Sequence, residues 1–408
     1  MSVFDTLQER GIIKQASDFN AARELLANET VTFYSGFDPT ADSLTAGHFV
    51  PLMAMAHLQR AGHKPIALIG GGTAFVGDTT DRSDMRPMMS RETIEYNVAC
   101  IKKQLAKFLD FESPDNGAIM VDNADWLLQL QYIPFIREYG VHFSVNKMLT
   151  ADVYRRRFET GLTFFEFNYQ IMQAYDYLEL FRRYGCKLQI GGDDQWSNIL
   201  AGVDLIRRAT RESVECLTIR LLLTSGGKKM GKTQAGAVWL DPNKTSPHEF
   251  YQYWRNVDDA DVIETLKLLT FVPMNEINDM SMLTGSELNK AKELLAFEVT
   301  KLVHGQSEAI AAQETARSLF GGGVGDSSIP ATTIGQWELN GMNIIGLLER
   351  AKLIASRGEG RRLIQQGGLR VNDVKVDSHE LLITPDHFIN GKLLIQKGKK
   401  VFHKVVIE

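Results

Sequence analysis

Cysteine is almost missing from this chain. Its three copies among 408 residues (Cys100, Cys186 and Cys216) stand far apart and form no CxxC pair. An odd, scattered set argues against a disulfide framework or a cysteine zinc site and fits a reducing, cytoplasmic setting. There is no HExxH pair either, so no protein-bound metal is expected. Long apolar runs are lacking as well: nothing approaches the roughly 18 residues of a membrane-spanning helix, and no membrane partner is expected. The opening Met1-Ser2-Val3-Phe4-Asp5 shows neither the basic nor the apolar segment of an export signal. Proline is sparse, with 11 copies against 34 glycines, and the chain is 44% hydrophobic and 23% charged. Those totals describe an ordinary globular protein with room for two or three domains.

A net positive charge is also absent. The formal charge is −5, which does not mark the whole chain as a nucleic-acid binder. Its distribution is uneven. From Met342 to Glu408, 12 Lys and Arg face 7 Asp and Glu, a local +5 that leaves −10 on the remainder. A basic tail on an acidic body is a common sign of a module with a polyanionic partner.

Apolar strand-like runs recur at 31–37, 65–69, 118–121, 188–190 and 217–223, separated by helical stretches at 48–61, 93–108 and 164–184. Strand alternating with helix predicts an α/β fold with a doubly wound parallel sheet, Rossmann-like, over 1–241. The gap between Val121 and Leu188 is longer than one crossover, so a helical insertion is expected at about 126–161. After Asp241-Pro242 the strand signal fades into an all-α block over 242–320, in which Ser286 is the expected cap of the helix that ends at Gly305. Gly321-Gly322-Gly323-Val324-Gly325 opens a linker, placed at 321–341. A small α+β domain follows at 342–408, with helices at 343–355 and 361–366 and strands at 369–376, 392–396 and 400–407.

Chemistry-bearing residues gather at the predicted strand ends. Tyr34-Ser35-Gly36-Phe37-Asp38-Pro39-Thr40 closes the first strand, and Thr45-Ala46-Gly47-His48 opens the helix after it. Thr45 reads as that helix's cap. Gly77-Asp78 and Gly191-Gly192-Asp193-Asp194-Gln195-Trp196 follow two other strands. Each alone is as readily a turn. Three glycine–carboxylate strand ends on one sheet edge point to a ligand crevice. Tyr169, Gln173 and Asp176 fall at i, i+4 and i+7, on one helical face that is either solvated or lines a polar pocket. Arg82 and Arg86 stand in a loop just past Asp78. Lys228-Lys229-Met230-Gly231-Lys232-Thr233 reads as a solvated hairpin tip, or as a glycine-hinged lysine loop that closes on phosphates. It is not a Walker loop, since the GxxxxGK[ST] spacing is missing.

Together these residues resemble the bacterial tyrosyl-tRNA synthetases, a family of class I aminoacyl-tRNA synthetases, over essentially the whole chain. Thr45-Ala46-Gly47-His48 is similar to the class's HIGH motif, and Lys229-Met230-Gly231-Lys232-Thr233 to its KMSKS motif. Tyr34, the Tyr169/Gln173/Asp176 row and the 191–196 segment match the tyrosyl member. The tail, with Ser356-Arg357-Gly358 and Leu369-Arg370-Val371-Asn372, looks like an RNA-binding module shared with a ribosomal protein. The resemblance implies ATP-dependent activation of L-tyrosine and its transfer to tRNA(Tyr), with Mg2+ accompanying ATP. Tyr34 and Asp176 would hold the phenolic hydroxyl, and Asp78, Tyr169 and Gln173 the ammonium. Gly36, Gly47, His48, Gly192 and Asp194 would bind ATP. Asp38, Thr40 and Gln195 would surround the reacting groups. Lys229, Lys232, Thr233, Arg82 and Arg86 would meet the phosphates, and Arg357 and Arg370 the tRNA. It further implies an anticodon-side role for 242–320 and a homodimer formed through the insertion, where Trp126-Leu127-Leu128 and Tyr132-Ile133-Pro134-Phe135 are apolar.

Three positions depart from the pattern. Thr45 replaces the usual histidine, Arg82 a frequent lysine, and Gly231 a serine whose loss is expected to loosen the loop. A tryptophanyl-type synthetase, a nucleotidylyltransferase and a non-catalytic RNA-binding scaffold are the alternatives. The first has no use for hydroxyl partners at Tyr34 and Asp176, and the second none for an RNA module.

Overall fold

In a computed structural model, all residues are described except 1, 79–88, 152–153, 156–160, 234–235, 321–329, 373, 390, 399–400 and 408. Met1–Ile310 form one compact unit and Ala311–Glu408 a second.

The first unit is built on a six-stranded sheet. Its strands are β1 (Ile13–Ala16), β2 (Thr32–Phe37), β3 (Lys64–Ile69), β4 (Ile119–Asp122), β5 (Leu188–Gly192) and β6 (Glu215–Ile219), in the order β1-β6-β5-β2-β3-β4. All pairs are parallel except β1 with β6. The edge strand β1 was not legible in the sequence; at four residues it is too short to show an alternation. The run expected at 217–223 ends at Ile219, and 220–223 turn into the lysine loop.

Parallel strands need long crossovers, and helices on both faces bury them. Helix α1 (Phe49–Arg60) links β2 to β3, α2 (Arg91–Leu105) links β3 to β4, α3 (Tyr169–Tyr184) leads into β5, and α4 (Trp196–Thr210) links β5 to β6. Phe33, Tyr34, Ile66, Ile69 and Leu188 are accordingly fully enclosed. The residues of the expected insertion form short helices, including Tyr132–Glu138 and Val145–Leu149.

A two-stranded ribbon, β7 (Lys232–Thr233) with β8 (Gly236–Ala237), precedes the helical block. That block comprises α5 (Pro247–Arg255), α6 (Val262–Leu269), α7 (Met274–Met280) and α8 (Leu288–His304), with α9 (Gln306–Phe320) after it. Ser246 caps α5: its hydroxyl accepts the Glu249 N–H while the Glu249 carboxylate takes the Ser246 N–H, and Pro247 supplies a pre-set first turn. Ser286, expected as the cap of α8, lies instead inside a 3-10 turn, Gly285–Glu287, that the chain enters from Thr284. Gly305 ends α8 with φ +93°.

The second unit packs α10 (Ile344–Arg350) and α11 (Arg357–Gln365) with a five-stranded sheet around Ile344, Leu347, Leu369, Leu393, Ile395 and Val405. The strands are β9 (Ala331–Ile334), β10 (Leu369–Val371), β11 (Val374–Lys375), β12 (Lys392–Lys397) and β13 (Val401–Ile407), in the order β11-β10-β12-β13-β9. Here the expected linker needs correction. Its far end, Ala331–Ile334, pairs in parallel with β13. Two threonines and an isoleucine make that segment strand-prone once a partner edge is available. Among the described residues, no helix is long and apolar enough to cross a membrane.

Candidate active site

The chain turns from β2 toward β3 and β4 on one side of the sheet, and from β5 toward β6 on the other. Neighbouring β2 and β5 therefore form a topological switch point, and their carboxyl ends open into a crevice. A cavity of about 500 Å³ lies there, the size of a small-molecule site. Tyr34, Gly36, Asp38, Thr40, Gly47, His48, Asp78, Tyr169, Gln173, Asp176, Gly192, Asp194, Gln195 and Lys229 all line it. The side chains at 34, 78 and 176 thus face one space. The row on α3 is a pocket wall, not a solvated face.

At the floor, Tyr34 is wholly buried, and its hydroxyl has no hydrogen-bond partner among the described residues. Asp176 is buried beside it and accepts from Trp126 Nε1 at 2.7 Å and Asn123 Nδ2 at 2.9 Å. Burial pushes the Asp176 carboxyl up to about 8; the two N–H donors pull the other way, and the charges of Asp38 and Asp122 add to the rise. Gln189, in register with Tyr34 on the adjoining strand, is buried with its carbonyl oxygen unpaired. Gln173 Oε1 higher on the wall is unpaired too. Buried polar atoms without partners call for an explanation, and three of them (Tyr34, Gln173 and Gln189) line this one cavity.

Asp38 is already engaged. It accepts Thr73 Oγ1–H and Tyr169 Oη–H, each at 2.8 Å, so it orients Tyr169 more than it faces a ligand. A side chain at Gly70 would overlap Asp38 Oδ1 and Thr73 Oγ1, which explains the glycine after β3. Across the cavity, Gln195 Nε2 donates to Asp78 Oδ2 at 2.7 Å while Asn198 Nδ2 donates to Gln195 Oε1 at 3.0 Å. The paired acids after β5 diverge: Asp193 is tied to Gln15 and Thr218, and Asp194 lines the cavity.

Thr45 is the cap of the turn that opens α1. Its N–H donates to His48 Nδ1 at 3.1 Å, and its hydroxyl lies 3.1 Å from the same nitrogen. A nitrogen that accepts carries no proton, so the ring hydrogen sits on Nε2. Loss of solvent lowers the His48 pKa and keeps the ring neutral.

The lysine loop reaches the same cavity. Lys229 Nζ lies 3.8 Å from Asp194 Oδ2, and Met230 is buried. Gly231 has φ +83°, and a Cβ there would come within 2.9 Å of Ala46 Cβ and 3.3 Å of Gly47 N. Val238 N–H donates to Gly231 O at 2.8 Å and Ala46 N–H to Val238 O at 2.9 Å. The two motifs are stitched together, so this glycine permits a close approach and does not loosen the loop. Lys232 and Thr233 form β7, with their side chains outside the described set, and Arg82 and Arg86 lie outside the described residues altogether. Arg357, ion-paired to Glu349 at 3.0 Å, and Arg370 on β10 are exposed in the second unit.

Four contributors escaped the sequence reading: Thr73, Asn123, Trp126 and Gln189. Trp126 stood in an apolar run read as interface, yet only 4% of it is exposed and its indole serves Asp176. Asn123 follows β4 as Asp78 and Asp194 follow theirs; the strand-end rule could have found it.

Residues 26–321 match the family described as tRNA synthetases class I (W and Y), and residues 324–405 match the tyrosine–tRNA ligase SYY-like C-terminal domain. A tyrosine–tRNA ligase of Acetivibrio thermocellus is 61% identical over 405 residues, 99% of each chain. One from Clostridium botulinum is 57% identical over 408 residues, covering all of both chains. Among solved structures, a C-terminally truncated mitochondrial tyrosyl-tRNA synthetase of Aspergillus nidulans superposes with a TM-score of 0.71 at 29% identity, covering 78% of this chain and 94% of that one. This chain belongs to the class I tRNA synthetases, in their tyrosine–tRNA ligase family.

Proposed function

We infer that this chain activates L-tyrosine with ATP and then esterifies it to tRNA(Tyr). The observation that carries the reading is the cavity floor: a buried phenol oxygen with no partner beside a buried carboxyl, both facing space for one aromatic ring. A substrate phenol donates to Asp176 and accepts from Tyr34; phenylalanine offers neither bond and leaves the Tyr34 hydroxyl unsatisfied. The tyrosyl enzymes are the standard case of that discrimination, so its size is a property of the family and no result of this geometry. At the other end, the unpaired Gln173 oxygen, Asp78 and Tyr169 suit an ammonium group.

In the first step a tyrosine carboxylate oxygen attacks the α-phosphorus of ATP in line, and pyrophosphate leaves. In the second a ribose hydroxyl at the tRNA 3′ end attacks the anhydride carbonyl, and AMP leaves. Neither step needs a protein nucleophile. Catalysis comes from alignment and from charge placed where charge grows. Gly36 and Gly192 let the nucleotide approach the strand ends, Asp194 takes ribose hydroxyls, and His48 Nε2–H donates to the nucleotide. Thr40 and Gln195 border the reacting groups. Lys229, Lys232, Arg82 and Arg86 neutralise the departing pyrophosphate, and the Thr233 hydroxyl donates to it. Mg2+ enters with ATP as part of the substrate.

The tRNA lies along the helical block and the C-terminal unit, with Arg357 and Arg370 on its phosphates. Tyr132, Ile133, Val141 and Val145 are all more than half exposed in the short helices of the insertion, an apolar surface that suits a homodimer in the cytoplasm. Exchange of labelled pyrophosphate into ATP that depends on tyrosine, and not on tryptophan, tests the first step. Exchange with no amino-acid requirement would overturn the reading.

A further inference from the structure

The lysine loop is anchored from outside the sheet. Two backbone N–H groups flank Lys228-Lys229-Met230, and the helical block accepts both. Ser225 N–H donates to Asp261 Oδ1, and Gly231 N–H to Tyr253 Oη, each at 2.6 Å. Tyr253 lies on α5 and is half-buried; Asp261 is buried in the turn that opens α6. Arg220, at the loop's entry, pairs with Glu264 of α6 at 3.3 Å.

Within the loop itself, Met230 N–H to Leu222 O and Thr224 N–H to Lys228 O close the hairpin, and Gly227 (φ +76°) forms its bend. These bonds fix the hairpin's shape. Its placement against Asp194 and the nucleotide crevice depends on what holds its two flanks. Tyr253 Oη accepts the N–H of Gly231, the residue that packs against Ala46, and a backbone N–H left without its acceptor favours a loop that swings out to water.

We propose that Tyr253, supported by Asp261, is a positioning residue for adenylate formation, fixing Lys229 where its charge meets the leaving pyrophosphate. This rests on the activation reading above. The Tyr253→Phe variant removes one oxygen and keeps the ring. In tyrosine-dependent pyrophosphate exchange its kcat falls about fivefold to tenfold, while the KM values for tyrosine and ATP stay within about twofold. Tryptic cleavage after Lys228 and Lys229 speeds up by a similar factor, and equilibrium binding of tyrosine is unchanged.

An unchanged kcat with unchanged cleavage overturns the proposal. So does a loss of tyrosine binding in parallel with kcat, which would show general damage to the fold. If wild-type protein shows no tyrosine-dependent exchange, the activation reading fails by itself. The cleavage comparison then still decides whether Tyr253 anchors the loop.

Discussion

Replacing Asp176 with asparagine should stabilise the protein while disabling it, and the pH dependence of the gain is what the structure fixes. The carboxyl titrates at 3.8 when exposed and at about 8 in this pocket, chiefly because it is buried. Its folded value lies above its unfolded one, so the native state holds the extra proton. Stability therefore falls as pH rises through the window between them, by about 1.4 kcal/mol per unit. Between pH 5 and pH 7 the wild type loses about 3 kcal/mol through this group, and Asp176→Asn loses none of it. Asparagine brings a separate, pH-independent penalty. Its amide nitrogen must face either Trp126 Nε1 or Asn123 Nδ2, donor against donor, at about 1–3 kcal/mol. The absolute gain depends on that offset, but its change with pH does not. Urea unfolding of both proteins at the two pH values should show the variant's advantage growing by about 3 kcal/mol, or roughly 5 °C in a thermal melt. Tyrosine-dependent exchange should drop by about a hundredfold or more. A difference constant across pH would refute the raised pKa and with it the reading of the floor as a strained binding site.

Three further outcomes follow from the same geometry. Gly231→Ser, which restores the family's usual residue, should lower kcat for exchange by about tenfold, because a Cβ at φ +83° meets Ala46; a faster enzyme would contradict the close-packing account. Arg357→Ala or Arg370→Ala should raise the KM for tRNA in aminoacylation and leave pyrophosphate exchange intact, and equal loss in both reactions would refute that division of labour. Ile133→Asp should move the protein toward a monomer in sedimentation velocity; an unchanged sedimentation coefficient would place any dimer contact elsewhere.

The alternation of strand and helix was readable because β3 is a nearly continuous apolar run and β2 and β5 are short, largely buried runs that end in glycine turns before a helical period. β1 was not, because an edge strand of four residues depends on its neighbour more than on its own sequence. The site divides the same way. Tyr34, Asp38, Asp78, Asp194 and the α3 row announced themselves through strand-end position and helical spacing. Trp126 and Gln189 did not, because an indole in an apolar run and an amide in a strand look like core until one sees what their polar atoms face. Gly231 was misjudged for a related reason. Glycine signals freedom along the chain, whereas here it serves contact with Ala46, 185 positions earlier in the numbering of the same chain.

The activation reading requires one tyrosine to occupy the cavity at the β2–β5 switch point. A crystal structure of the protein with L-tyrosine tests that most directly. The phenolic oxygen should lie within about 3 Å of both Tyr34 Oη and an Asp176 carboxylate oxygen, with the ammonium group near Gln173 Oε1 and Asp78. A tyrosine bound elsewhere, or one with its ring reversed so that the hydroxyl points toward the lysine loop, would contradict it.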